Sequence, residues 1–317
     1  MTRLHLRPVL AVLTLATLTA GYGCAPAGAG APETAGATES AAASTVAAPA
    51  AGSVAPAPTV AATPLLDGTE KSIVLVGYST SYAWPVMLQE MLDEHAGGQR
   101  TYHLLNAVVG GSPMGRWISP RDSEDYQATY GAMLIDFFGP DARLRGDLPA
   151  PTVAMLQQSL QRTPTPETRL GPVTTVDDKR GLEIGADALE KIAFQLREDG
   201  IERVHIGMHI YKVGYEPEVG NERFALEALM QRGHDFIFEG PDVWSLTIRE
   251  HPAAFTEDGL HPNELGAKIM AAAWYRALAG ADVREQIIEA MEARSYDVDA
   301  LMNEYLAWRR GGTPEIP

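Results

Sequence analysis

Uninterrupted apolar runs alternate along this chain with stretches whose apolar residues recur every three or four positions. The first run, Ile73-Val74-Leu75-Val76, carries no polar residue and leads into Gly77. A short β-branched run of this kind predicts a strand covered on both faces, as in a parallel sheet. From Ala83 to His95 the apolar residues Trp84, Met87, Leu88, Met91 and Leu92 fall at helical spacing. Pro85 sits in the first turn of that helix, where a missing N–H does no harm. Further strands are predicted over Thr101 to Val109, Ala132 to Phe138, Val204 to Met208 and Asp235 to Phe238. Further helices are predicted over Gly181 to Asp199, Ala225 to Gln231, Pro262 to Leu278, Val283 to Met291 and Val298 to Trp308. Between Asp141 and Gly181 five prolines interrupt the chain, and only Val153 to Leu160 reads as helical there. That stretch is expected to be a lid, a substrate wall or a surface excursion. The strand-helix alternation predicts an α/β protein, a three-layer α/β/α sandwich on a five-stranded parallel sheet.

Not all of the 317 residues belong to that domain. Arg3 and Arg7 precede an apolar run from Val9 to Ala20, followed by small residues up to Cys24. Residues 1–23 therefore read as a secretory signal, too short to span a bilayer as a stable helix. Cys24 is the chain's one cysteine, which excludes an intrachain disulfide and argues against a Cys-based metal site. After Cys24, residues 25–64 are Ala, Pro, Gly, Thr, Ser and Val with Glu33 and Glu39 as the only charges, and 24–64 make one segment. Such a segment has too little apolar bulk to offset the entropy of ordering and reads as a disordered tether. Residues 65–317 form the globular domain with its terminal helices.

Acidic residues outnumber basic ones by 41 to 25, a net charge of −16. Loss of residues 1–23 removes Arg3 and Arg7 and no acids, and makes the balance more negative. Nucleic acid is an improbable partner for such a surface, since its binding depends on Lys and Arg neutralising phosphates. Docking on anionic lipid is disfavoured for the same reason, so a membrane tether would have to be an acyl chain.

The candidate chemistry lies at two places far apart in sequence. Gly77-Tyr78-Ser79-Thr80-Ser81 turns the chain from the first strand into the first helix, at the sheet edge where open α/β folds bind ligands. Ser79 and Ser81 could be plain turn serines, or one could be a nucleophile. Asp258-Gly259-Leu260-His261-Pro262 lies in a loop that opens the later helix. A serine hydroxyl is a poor nucleophile until an imidazole takes its proton, and the imidazole needs a carboxylate to fix its tautomer. Alone, Asp-x-x-His is common. His205 and His209 lie four apart on a strand, roughly 13 Å at about 3.3 Å per residue, too far for one metal.

Gly-x-Ser after the first strand, Gly110-Gly111 after the second and Asp-x-x-His-Pro before the last core helix form an ordered set. In this the sequence resembles the SGNH (GDSL-type) hydrolase superfamily, from about Ser72 to Leu278, with Gly-Tyr-Ser in place of Gly-Asp-Ser. The resemblance implies a flavodoxin-like fold and a serine ester hydrolase that needs no cofactor and no metal. It implies Ser79 as nucleophile, His261 as base and Asp258 as the group that orients it. The backbone N–H groups of Ser79 and Gly111 would line the oxyanion hole, with Gly110 as the fallback. The family adds an Asn in Gly-x-Asn-Asp after strand three, where this chain has Gly139-Pro140-Asp141-Ala142. Asp141 is either the substitute or the motif's final Asp, with Asn106 or His209 then completing the hole. Cys24 resembles the lipidated cysteine of a bacterial lipobox, which implies an envelope protein on an acyl anchor; simple secretion is the alternative. The expected substrate is a small acyl ester, on a saccharide if Trp117, Tyr211, Tyr215 and Trp244 stack on sugar rings. A lipase-like or acyl-transferring relative and a non-catalytic saccharide-binding protein are the alternatives.

Overall fold

The computed structural model describes residues 64–110, 138, 146–157, 179–213 and 216–309, with backbone alone for 179–184 and 216–221. Leu65 and Leu66 are already buried in the core. Strand β1, Lys71–Gly77, follows directly, and Ile73 to Val76 are wholly enclosed. Strand β2, Tyr102–Asn106, pairs with one side of β1 and strand β3, Pro151–Gln157, with the other. Strands β4, Arg203–Ile206, and β5, Ile237–Glu239, complete a wholly parallel sheet of order β2-β1-β3-β4-β5. The predicted sandwich fold is therefore observed.

One strand is not where the sequence reading put it. The neighbour of β1 is Pro151–Gln157, most of which had been read as helical on the strength of Val153, Ala154, Met155 and Leu156. These four side chains are almost fully enclosed between β1 and β4. An apolar run buried on both faces has no alternation to distinguish it from a helix, and tertiary placement decides. Of the predicted strand Ala132 to Phe138, only Phe138 is among the described residues; it packs against the core.

Helices cover both faces, as a parallel sheet requires. Helix α1, Trp84–His95, links β1 to β2 in one direction, while α2, Lys179–Glu198, and α3, Glu216–Gln231, link β3, β4 and β5 in the other. Right-handed crossovers then put α1 on one face and α2 with α3 on the opposite one. A short helix α4, Val243–Thr247, precedes the long helix α5, Glu264–Ala279, which packs along α1. Helices α6, Glu285–Glu292, and α7, Val298–Arg309, end the domain.

At the α1–α5 contact the Trp84 and Trp274 rings stack 6.4 Å apart, both fully buried. Trp274 Nε1 donates to Gln157 Oε1 at 2.7 Å, and Gln157 Nε2 donates to the Met208 carbonyl at 2.6 Å. This chain of bonds ties α5 to the ends of β3 and β4. Gly207 makes room for it, since a Cβ there would lie 2.7 Å from the Trp274 ring.

His205 on β4 is buried and stacks on Phe238 at 5.1 Å. Burial, aided by the nearby Arg203 charge, pulls its pKa down to about 4. The unfolded chain therefore binds a proton between pH 6.5 and 4 that the folded chain does not, so this contribution is present above that range and lost as pH falls through it. Between pH 7 and 5 the wild type should lose about 2 kcal/mol of unfolding free energy through this residue. His205→Phe should remove that much of the loss in urea titrations at the two pH values; an unchanged pH dependence would show that His205 titrates normally.

Candidate active site

A sheet of order β2-β1-β3 reverses its winding at β1, and the crevice beyond the carboxyl ends of β1 and β3 is where doubly wound folds bind ligands. Ser79 stands there. It opens a single 3₁₀ turn, Ser79–Ser81, closed by a bond from Ser81 N to the Tyr78 carbonyl at 2.8 Å. Asn106, at the end of β2, holds the turn by donating to the Ser81 carbonyl at 3.1 Å. Gly77 lets the strand ends close up, because a Cβ there would lie 2.9 Å from the Gln157 carbonyl. Ser81 is wholly enclosed, so the turn presents Ser79.

The loop before α5 is folded locally. Phe255 bridges Pro262, Thr256 N donates to the His261 carbonyl at 2.9 Å, and Gly259 takes the positive φ of +64° that the turn demands. Asn263 caps α5 through Gly266 N and also holds the carbonyls of Ala253 and Phe255. Within this frame Asp258 Oδ1 accepts bonds from the Thr256 hydroxyl and from the backbone N–H groups of Leu260 and His261. Its other oxygen, Oδ2, meets His261 Nδ1 at 2.5 Å.

His261 Nε2 lies 2.9 Å from Ser79 Oγ, across 182 residues of sequence. The three side chains that the sequence singled out thus form one hydrogen-bonded line. Partial burial raises the Asp258 pKa, but the bonds from His261, Thr256 and Leu260 outweigh that and hold the carboxyl well below the usual range. Asp258 therefore stays ionised even though it is half exposed. A carboxylate at Nδ1 keeps the proton on that nitrogen and leaves Nε2 free to accept from Ser79.

The remaining expected residues fare differently. Gly110 lies against Ser79, since a Cβ on it would stand 3.6 Å from Ser79 Cβ. The Tyr82 hydroxyl crowds it too, and the same Cβ would collide with it. Gly111, Asp141, Cys24, Trp117 and Tyr215 lie outside the described residues. The strand that pairs with β1 on the side away from β2 ends at Gln157. Asn106 is engaged locally, its Nδ2 donating to the Ser81 carbonyl and its Oδ1 accepting from Val108 N. His209 is enclosed beneath Tyr78, their rings stacked at 5.3 Å, and burial holds its pKa at about 3. Tyr211 and Trp244 are buried against each other and against His251 and Phe255, not offered to a sugar. Sequence reasoning missed Thr256, two residues before Asp258, and Tyr82, whose role depends on contacts the spacing does not reveal.

No family model matches the sequence, and no curated protein matches it. Among solved structures, a carbohydrate esterase family 3 protein from Talaromyces cellulolyticus is similar at 11% identity, over 71% of this chain and 100% of that one, with a TM-score of 0.45. The psychrotrophic esterase EstA from Pseudoalteromonas sp. is similar at 16% identity, over 66% and 97% of the two chains, with a TM-score of 0.39. A member of the lipolytic G-D-S-L family from Veillonella parvula is similar at 14% identity, over 67% and 100%, with a TM-score of 0.39.

His261→Ala should lower kcat on an aryl ester by about 10²–10⁴, the usual contribution of a general base. The fold should survive, because the loop is held through backbone atoms and through Asp258 and Asn263. Asp258→Asn should lose a similar factor, since Asp258 is the ring's partner at Nδ1. Normal turnover in His261→Ala would exclude the arrangement as a catalytic one.

Proposed function

We propose that this chain is a serine ester hydrolase of the SGNH type, acting on small acyl esters. The observation that carries this reading is the line Ser79 Oγ, His261 Nε2 and His261 Nδ1, Asp258 Oδ2 at the switch point of the sheet. Ser79 attacks the acyl carbon while His261 takes its proton, and His261 then returns that proton to the leaving alcohol. Water, deprotonated by the same imidazole, releases the acid from the acyl-serine. Asp258 stabilises the imidazolium in both halves without being protonated. The oxyanion is assigned to the backbone N–H groups of Ser79 and Gly111, with Asp141 adding a side-chain donor only in its protonated form. The close approach of Gly110 to Ser79 favours a short acyl group such as acetyl. The alcohol portion is proposed to be a saccharide of the cell envelope or its surroundings.

A fluorophosphonate probe should label Ser79 in the wild type and fail to label Ser79→Ala. Turnover of p-nitrophenyl acetate should exceed that of the octanoate ester. Labelling that persists in Ser79→Ala would assign the nucleophile elsewhere, and a preference for octanoate would favour the lipase-like alternative.

The protein is further proposed to be extracytoplasmic and anchored through lipid on Cys24. Among the described residues no helix is long and apolar enough to cross a membrane. Mass spectrometry of protein extracted from membranes should find an acylated N-terminal Cys24, and a mature N-terminus at any other residue would refute the anchor.

A further inference from the structure

Among the described residues strand β2 is an edge strand, with β1 on one side and no strand on the other. Its extension past Asn106 stays beside β1, because Ala107 N donates to the Leu75 carbonyl at 2.9 Å and Val109 N to the Gly77 carbonyl at 3.1 Å. In a strand successive peptides point to opposite edges, so the carbonyls of Asn106 and Val108 face outward. Edge carbonyls left bare in a buried setting are costly, and here the last helix meets them. Tyr305 Oη on α7 donates to Val108 O at 2.7 Å and to Asn106 O at 3.3 Å, and Arg309 Nη1 reaches Val108 O at 3.2 Å. Tyr305 is 9% exposed, and its ring lies 5.2 Å from that of Tyr82, whose hydroxyl lies against Gly110.

The peptide between Val108 and Val109 is therefore gripped from both sides, its carbonyl by α7 and its N–H by β1. Beyond it the chain runs one residue to Gly110, which abuts Ser79. We infer that Tyr305 is a positioning residue for the backbone at 108–110, which fixes how the turn after β2 faces the acyl oxygen on Ser79. This rests on the ester-hydrolase reading. The helix is itself held in place: Tyr296, just before α7, bonds through its hydroxyl to Glu90 on α1 and through its N–H to Glu264 on α5. Thus α7 is carried by the same helices that carry the two halves of the triad. Removing the Tyr305 hydroxyl leaves Ser79, His261 and Asp258 untouched, but lets the 108–110 peptides rotate.

The test compares wild type, Tyr305→Phe and Leu301→Ala on p-nitrophenyl acetate, with thermal melts and amide hydrogen exchange on each. Leu301 is on the same helix and packs on the core, so its truncation loosens α7 and spares the hydroxyl. Tyr305→Phe should lower kcat on the order of tenfold with KM within twofold, part of the 10²–10³ that a lost oxyanion donor costs. Exchange at Val109 and Gly110 should quicken while β1 stays protected. Leu301→Ala should melt at a lower temperature and keep its kcat. Unchanged kcat in Tyr305→Phe, or an equal loss in Leu301→Ala, overturns the inference while leaving the hydrolase reading intact. A wild type that neither turns over esters nor binds the fluorophosphonate overturns that reading, and the catalytic part of the inference with it. In that case exchange alone decides whether Tyr305 orders the backbone, and unchanged exchange overturns this too.

Discussion

One buried side-chain amide determines where the site can be. Gln157, fully enclosed at the end of β3, accepts from the Trp274 indole and donates to the Met208 carbonyl. A buried amide without partners would cost about 1–3 kcal/mol for each unmet group, so these bonds favour one seating of α5 over its neighbours. Apolar contact alone would let a helix slide along the sheet, because dispersion is nearly indifferent to register. With Trp274 pinned, the first turn of α5 and the loop before it arrive at the carboxyl edge of β1. His261 meets Ser79 because the Trp274 indole, further along on α5, is already committed.

The loop that bears His261 and the turn that bears Ser79 differ in how they are made. The former is almost self-sufficient: a Gly at positive φ, an Asn cap and one carboxylate organise it through contacts no more than ten residues apart. Asp258 illustrates the economy of that arrangement, since one oxygen orders the loop while the other orients the imidazole. The Ser79 turn is held from outside, by Asn106 on β2 and by the closeness of β3 at Gly77. A substitution in β2 or β3 can thus disturb the nucleophile without touching it.

Local spacing explains what could be read in advance. Asp258 and His261 sit in one tight turn and Ser79 follows a β-branched run that reads as a buried strand, but their pairing was legible only through the ordered set of motifs that resembles the SGNH family. The sheet was legible wherever β-branched residues marked a strand, as in Ile73 to Val76 and Val204 to Ile206. It was not legible at Val153 to Leu156, where Ala, Met and Leu suit a helix equally well and no polar residue marks a face. That misreading changed which segment is seen to pair with β1. The aromatic residues failed as predictors for a related reason. Tyr211 and Trp244 are near the site in sequence order and in the fold, but their rings fill the space between α4 and the strand ends. Exposure is a property of the assembled layers, and composition does not carry it.

The contacts that order the turn after β2 could not have been read at all, because Tyr305 lies 197 residues from Val108. They divide the proposed apparatus by origin. On the ester-hydrolase reading, proton transfer rests on a loop whose geometry is encoded within a few residues, and charge stabilisation on a strand end that a distant helix completes by hydrogen bonding. An edge strand must be covered in any case, or it would offer its open carbonyls and N–H groups to another chain. Covering it with a helix that ends in Tyr305 and Arg309 meets that requirement and, by the same bonds, fixes the peptide planes leading to Gly110. Stability at the sheet's edge and order beside the nucleophile are then one structural requirement, satisfied by one helix.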